Sequence, residues 1–128
     1  MKHFISLDKA KKMTALYRKE KDNVVTKEHQ EKKTLPLCET FDAEPFRIVL
    51  NKPGCVGIRI YYSMDDEKKI HLIIVGVNDK DEDILPDAQS TTNVLSDATT
   101  NTTTTDQTII EDGIVCPPVC PPASPLNS

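Results

Sequence analysis

From Cys55 to Tyr62 the side chains alternate in character. Val56, Ile58, Ile60 and Tyr62 fall on one side of an extended chain; Cys55, Gly57, Arg59 and Tyr61 fall on the other. Apolar residues on a helix recur every three to four positions, so a strict period of two specifies a strand. Ser63 to Lys69 is polar and reads as a loop. Ile70 to Val77 is then apolar at every position except His71 and Gly76. The spacing predicts an antiparallel hairpin. The near-continuous apolar run predicts that its second strand is central and covered on both faces. A hairpin alone is marginal in water, so other parts of the chain must cover it. Ile109-Ile110 through Ile114-Val115 is the candidate third strand.

Two helices are predicted. Ser6 is a good N-cap for a helix running to about Asp22, with Asp8 in the first turn, where the helix dipole favours an anion. Ala10, Met13, Leu16 and Tyr17 form a narrow apolar stripe, and Ile5 is placed to staple onto Ala10. Residues 23–35 carry no clear period. A second helix, from Asp42 to Asn51, starts with Phe41 stapling onto Phe46 and tolerates Pro45 in its first turn. Pro53-Gly54 ends it.

The 128 residues suit one domain. Hydrophobic residues are 38% of the chain, cluster between Phe41 and Val77 and include no Trp, so the core is small and aliphatic. Residues 87–108 are Ser, Thr, Asn, Asp and Gln with isolated apolar residues, a composition that buries too little to offset its ordering entropy. The fold expected is α+β: two helices packed on a small antiparallel sheet of two to three strands, with a disordered Thr-rich insertion. The small α+β domain spans 1–86, the disordered linker 87–108, and a C-terminal strand with a Cys-Pro tail 109–128. The tail, Cys116-Pro117-Pro118-Val119-Cys120-Pro121-Pro122, is expected to be stiff and extended.

Net charge is −4, split as +5 over residues 1–33 and −9 over the remainder. The basic arm lacks the interleaved aromatics of a single-strand binder and reads as a solvated helix face, so nucleic acid is not an expected partner. The longest apolar run, Leu72 to Val75, is far short of the roughly 20 residues that span a bilayer. With no apolar leader after Met1, the expectation is a cytoplasmic protein with no membrane segment.

Cys38, Cys55, Cys116 and Cys120 are the only obvious reactive set. Cys116 and Cys120 flank Pro117-Pro118-Val119, and Cys55 opens a strand after a Pro-Gly turn, an exposed and rigid position. If the tail lies beside the hairpin, Cys55, Cys116 and Cys120 form a thiolate site suited to zinc or an iron–sulfur cluster. The alternatives are a disulfide and free thiols. Asp79, Asp81 and Asp83 echo the start of a calcium loop, but Ile84 stands where the loop needs Gly and Ser90 where it needs Glu. Arg59 and Tyr61, sharing a strand face, are candidates for an anion or partner surface.

Three stretches carry a resemblance: Pro53-Gly54-Cys55-Val56-Gly57-Ile58-Arg59-Ile60-Tyr61-Tyr62, Ile74-Val75-Gly76-Val77, and Glu111-Asp112-Gly113-Ile114-Val115-Cys116-Pro117-Pro118-Val119-Cys120. On these the chain resembles a family of short proteins common in Bacteroidetes-type bacteria, over roughly residues 5–85 and 109–128. The family carries no assigned activity. The resemblance implies that Cys55, Cys116 and Cys120 belong to one module. The cysteine spacing is also similar to that of A-type iron–sulfur carriers, although these end in a Cys-Gly-Cys type motif. No base is visible beside any cysteine, so a nucleophilic enzyme is not the expectation. The expected function is a non-enzymatic binding or accessory protein with a protein partner; the alternative is a metal- or iron–sulfur-binding protein using Cys55, Cys116 and Cys120.

Overall fold

The computed structural model describes residues 3–87 and 107–128, so the expected disordered linker lies, except for its ends, outside the described residues. The elements in chain order are α1 (Leu7–Glu20), α2 (Lys27–Glu31), β1 (Cys38–Thr40), α3 (Ala43–Leu50), β2 (Gly57–Met64), β3 (Ile70–Val77), β4 (Asp83–Ile84), β5 (Ile109–Ile110) and β6 (Ile114–Cys116). The class is α+β. Of the described residues, 3–40, 64–70 and 114–128 form one compact unit, and 41–63, 71–87 and 107–113 form a second.

The second unit is built on β3. β2 pairs along one side of it, and β4 and β5 pair along the other. Val56 N–H donates to Val77 O at 2.8 Å, and the Ser63 hydroxyl donates to His71 O at 3.2 Å, as the expected hairpin requires. Opposite β3, Ile74 faces Ile110, Val75 faces Ile109, and Gly76 faces Ile84. Successive residues of a strand point to opposite faces, and Ile74 and Val75 are 1% and 2% exposed, so the centre of β3 is covered on both. On one face Val49 of α3 packs with Ile74 and Ile110, ringed by Phe41, Phe46 and Ile58. The staple that opens α3 is present, with the Phe41 and Phe46 rings edge to face at 6.0 Å. Asp42 holds the N-cap position without a side-chain cap bond.

The sheet is larger than the two or three strands expected, and the C-terminal residues divide between the two units. Ile109-Ile110 joins β3 as expected. Ile114-Val115 does not continue that strand, because Asp112 takes a left-handed φ of 65° and ends the extended run after Ile110. β6 pairs with β1 instead, setting Cys38 opposite Cys116, Glu39 opposite Val115 and Thr40 opposite Ile114. β4 is short because the turn before it is tight: Asn78 Oδ1 accepts from the Lys80 and Glu82 amides at 2.9 and 3.0 Å, with Asp81 at φ 64°.

The first unit holds α1, α2, β1, β6 and the β2–β3 loop. Ser6 Oγ accepts from Lys9 N–H at 3.2 Å, so the cap works as its sequence implies. Met13 and Leu16, expected on a packed stripe, are exposed, and α1 has no fully buried residue. Polar ties hold the helix instead. The Tyr17 hydroxyl donates to Pro36 O at 2.6 Å, and Arg18 donates to the carbonyls of Leu126 and Ser128.

Gly76 tests how closely α3 lies on the sheet. A Cβ there would stand 2.9 Å from Cys55 Sγ and 3.3 Å from Val49 Cγ1. Gly76→Ala is expected to lower unfolding free energy by about 1–3 kcal/mol, as overpacking does. Chemical denaturation should show part of that loss recovered in a Cys55→Ala background, because the closest obstructing atom is then gone. Equal losses in both backgrounds would contradict this packing. Ile74→Ala, which empties the centre of the core, should cost about 2–5 kcal/mol in the same measurement.

Candidate functional site

β2 is covered over only part of its length. It is hydrogen-bonded to β3 on one side and ends the sheet on the other, among the described residues. Its alternation holds as read. Ile58 reaches the core, whereas Ile60 and Tyr62, further along the same face, are 50% and 83% exposed. Val56, just before the strand, is also exposed.

The opposite face of β2 carries Arg59 and Tyr61, and here the structure uses both residues internally. Arg59 pairs with Asp83 at 2.5 Å and with Asp81, and also donates to Asp81 O at 3.3 Å. The Tyr61 hydroxyl donates to the second oxygen of Asp83 at 2.5 Å. β4 bonds to β3 and not to β2, so these side chains lace the two outer strands together across the central one. The cluster neutralises the guanidinium, which makes it a clamp rather than an open anion seat. Asp81 and Asp83, two of the three alternating aspartates, are the counter-ions. Sequence spacing gave no sign of this pairing, because it spans 22 and 24 residues and depends on the register of β4.

The cysteines are arranged differently from the expected set. Cys116 and Cys120 are joined in a disulfide, and Cys38 and Cys55 are free. Cys55 lies in the second unit, half-buried rather than exposed. Its thiol donates to Gly57 O at 3.2 Å. The sulfur turns toward Gly76 on the α3 side, because Cys55 precedes the first residue of β2 and does not keep the strand's alternation. Cys38, in a stretch without period, stands directly opposite Cys116 in the β1–β6 ladder. The tail is not extended. It folds back at Pro117-Pro118, where the disulfide and a 3.2 Å bond from Val119 N–H to Val115 O close a turn.

A zinc or iron–sulfur centre needs several thiolates or imidazoles converging on one point. Two of the three proposed donors are bonded to each other, and no group of three His, Cys, Asp or Glu side chains among the described residues is placed to hold a metal ion. The donor set as folded does not fit either group. In the first unit, a cleft of about 660 Å³ is lined by Lys32, Lys33, Lys68, Lys69, Pro117 and Pro118, with Glu31, Asp66 and Glu67 among them. Its charges are of both signs, and Lys32 and Lys69 are paired with Glu28 and Glu67, so no single ligand charge is selected. No helix of the described residues is long and apolar enough to cross a membrane.

The Asp83 clamp gives a pH signature. The Tyr61 hydroxyl first, and then Arg59, hold the Asp83 carboxyl below the ordinary carboxylate range. The unfolded chain therefore takes up this proton before the folded one does. The resulting stabilisation is full above the ordinary carboxylate pKa of about 4 and disappears as pH falls through the lowered native value. Asp83→Asn should be less stable than the parent near neutral pH, and the gap in denaturation midpoint should close in acid. A gap that persists unchanged below the carboxylate range would show that the charge of Asp83 is not what matters. The chain was compared with protein families, with curated proteins and with solved structures, and it matches none of them.

Proposed function

We propose that this chain is a non-enzymatic binding protein that holds an extended segment of a partner protein along the open edge of β2. The observation that carries the reading is that β2 ends its sheet, among the described residues, without the usual protection of an edge. Natural sheets blunt their edges with Pro, Lys, bulges or very short strands, since an unpaired row of N–H and C=O groups templates pairing with another chain. β2 is eight residues long and contains neither Pro nor Lys. Its one charge, Arg59, is drawn onto Asp81 and Asp83. Ile60 and Tyr62 stand exposed beside the edge and give an incoming strand apolar side chains to pack on. Main-chain bonds supply affinity in this mode of recognition, and alternate side chains supply selectivity. The partner chemistry that fits is an extended, uncharged segment with apolar residues at every second position.

A capped eight-residue peptide of alternating Val and Thr serves as probe, titrated into the isotope-labelled full chain. Amide signals of Gly57–Met64 are expected to shift, and a peptide N-methylated at every nitrogen, which has no N–H left on either edge, should cause no shift. Ile60→Lys and Tyr62→Lys should each weaken binding about fivefold, the loss of one apolar cross-strand pair of up to about 1 kcal/mol, while the fold is retained. Shifts confined to α1, or equal binding of the N-methylated peptide, would remove β2 as the site.

A further inference from the structure

The disulfide and the thiol in the first unit are placed so that one can act on the other. Residues directly opposite in an antiparallel ladder point to the same face, with Cβ atoms about 4.5–5.5 Å apart. A disulfide needs Cβ atoms roughly 3.5–4.5 Å apart, so a small approach of β1 to β6 brings Cys38 within bonding range of Cys116. Cys38 carries a free thiol, and Cys116 is its register partner. The two sulfurs of the existing disulfide differ in access: Cys116 is 2% exposed, whereas Cys120 lies in the exposed part of the tail. A thiol in solution can reach Cys120 but is screened from Cys116. A nucleophile for Cys116 must come from within the fold, and Cys38 is positioned to supply it.

We propose that Cys38, Cys116 and Cys120 form a thiol–disulfide exchange site, in which Cys38 attacks Cys116 and Cys120 is the sulfur released to react with low-molecular-weight disulfides. In the internal step the Cys38 thiolate forms a bond to Cys116 Sγ. The Cys116–Cys120 bond breaks, and its electron pair leaves on Cys120 Sγ, which takes up a proton equal to the one Cys38 gave to solvent. One disulfide and one thiol enter and one of each leaves, so no oxidant or reductant is consumed. The disulfide moves from a short loop, with a sequence separation of 4, to a cross-strand link between β1 and β6. The released Cys120 thiol then exchanges with an external disulfide, such as oxidised glutathione, forming a mixed disulfide at Cys120 and releasing one equivalent of the small thiol.

The test follows linkage rather than function. Oxidised full-length protein is held without reductant at about pH 8, where thiolates are abundant. It is then quenched in acid, digested without reduction and analysed by mass spectrometry. Both the Cys116–Cys120 and Cys38–Cys116 linkages are expected in the parent, with maleimide labelling at Cys120 in proportion to the second. Cys38→Ser and Cys38→Ala should each keep only Cys116–Cys120 and lose at least nine-tenths of the Cys120 labelling, whereas Cys55→Ser should change neither. Cys120→Ser, treated with oxidised glutathione, should form Cys38–Cys116 and release two equivalents of glutathione. Oxidised glutathione should modify Cys120 in the parent but not in the Cys38 variants. A parent that shows Cys116–Cys120 alone, or a Cys120→Ser protein that pairs through Cys55 in place of Cys38, would overturn the proposal.

Discussion

Everything in the second unit depends on burying Ile74 and its neighbours at the centre of β3. The core is small, with Val49, Ile74 and Ile110 its buried members on the α3 side, and each such side chain contributes about 1.5–3 kcal/mol relative to exposure. Loss of one is therefore a large fraction of what so small a core can supply. Gly76 is part of the same constraint. The helix approaches the sheet at that point because no Cβ stands there, and Val49 and Cys55 occupy the space. The apolar run that makes β3 central also requires neighbours on both sides, which is why the two-residue strands β4 and β5 exist at all: each covers part of the edge that β2 leaves open.

The other sheet face is held by polar contacts. Arg59, Tyr61, Asp81 and Asp83 connect β2 to β4 without a direct strand pairing. Gly57 contributes by leaving room for Val77, whose Cγ2 would stand 3.2 Å from an added Cβ. Partly exposed ion pairs are individually weak, but a carboxylate held at once by a guanidinium and a phenol has little freedom to leave. Turn chemistry complements this. Asn78 gathers two amides in the turn before β4, and Asp65 Oδ1 accepts from the Glu67 and Lys69 amides in the β2–β3 loop, at 2.9 and 3.0 Å. Lys68 and Asp81 then adopt the left-handed conformations those turns require.

What was legible in the sequence was what local periodicity encodes. The β2–β3 hairpin, the central place of β3, the Ser6 cap and the Phe41–Phe46 staple all follow from neighbours a few residues apart. What was not legible depends on partners far away in the chain. β1 is three residues of unremarkable composition, and only its pairing with β6 makes it a strand. The same pairing places Cys38 opposite Cys116, whereas spacing along the chain favours Cys55. In the sequence Arg59 looks available for a partner, because its counter-ions follow a turn whose geometry is set by Asn78. Met13 and Leu16 satisfied the helical period, yet they are exposed, since periodicity shows which residues share a face and not whether another element covers it.

The exposed end of the β2 face follows from the same economy of material. Eight helical residues span about 12 Å, whereas eight strand residues span about 26 Å. Even laid along the strand, α3 covers less than half of β2, and it does so at the Ile58 end, where Phe46 and Val49 complete the core. Ile60 and Tyr62 keep the apolar alternation past the point where the helix can reach. If β2 served only to shield β3, polar residues at those two positions would do so equally well and would remove the exposed surface. A strand that stays apolar beyond its internal cover, with its single charge drawn onto the opposite face, has the features of a surface completed by another chain.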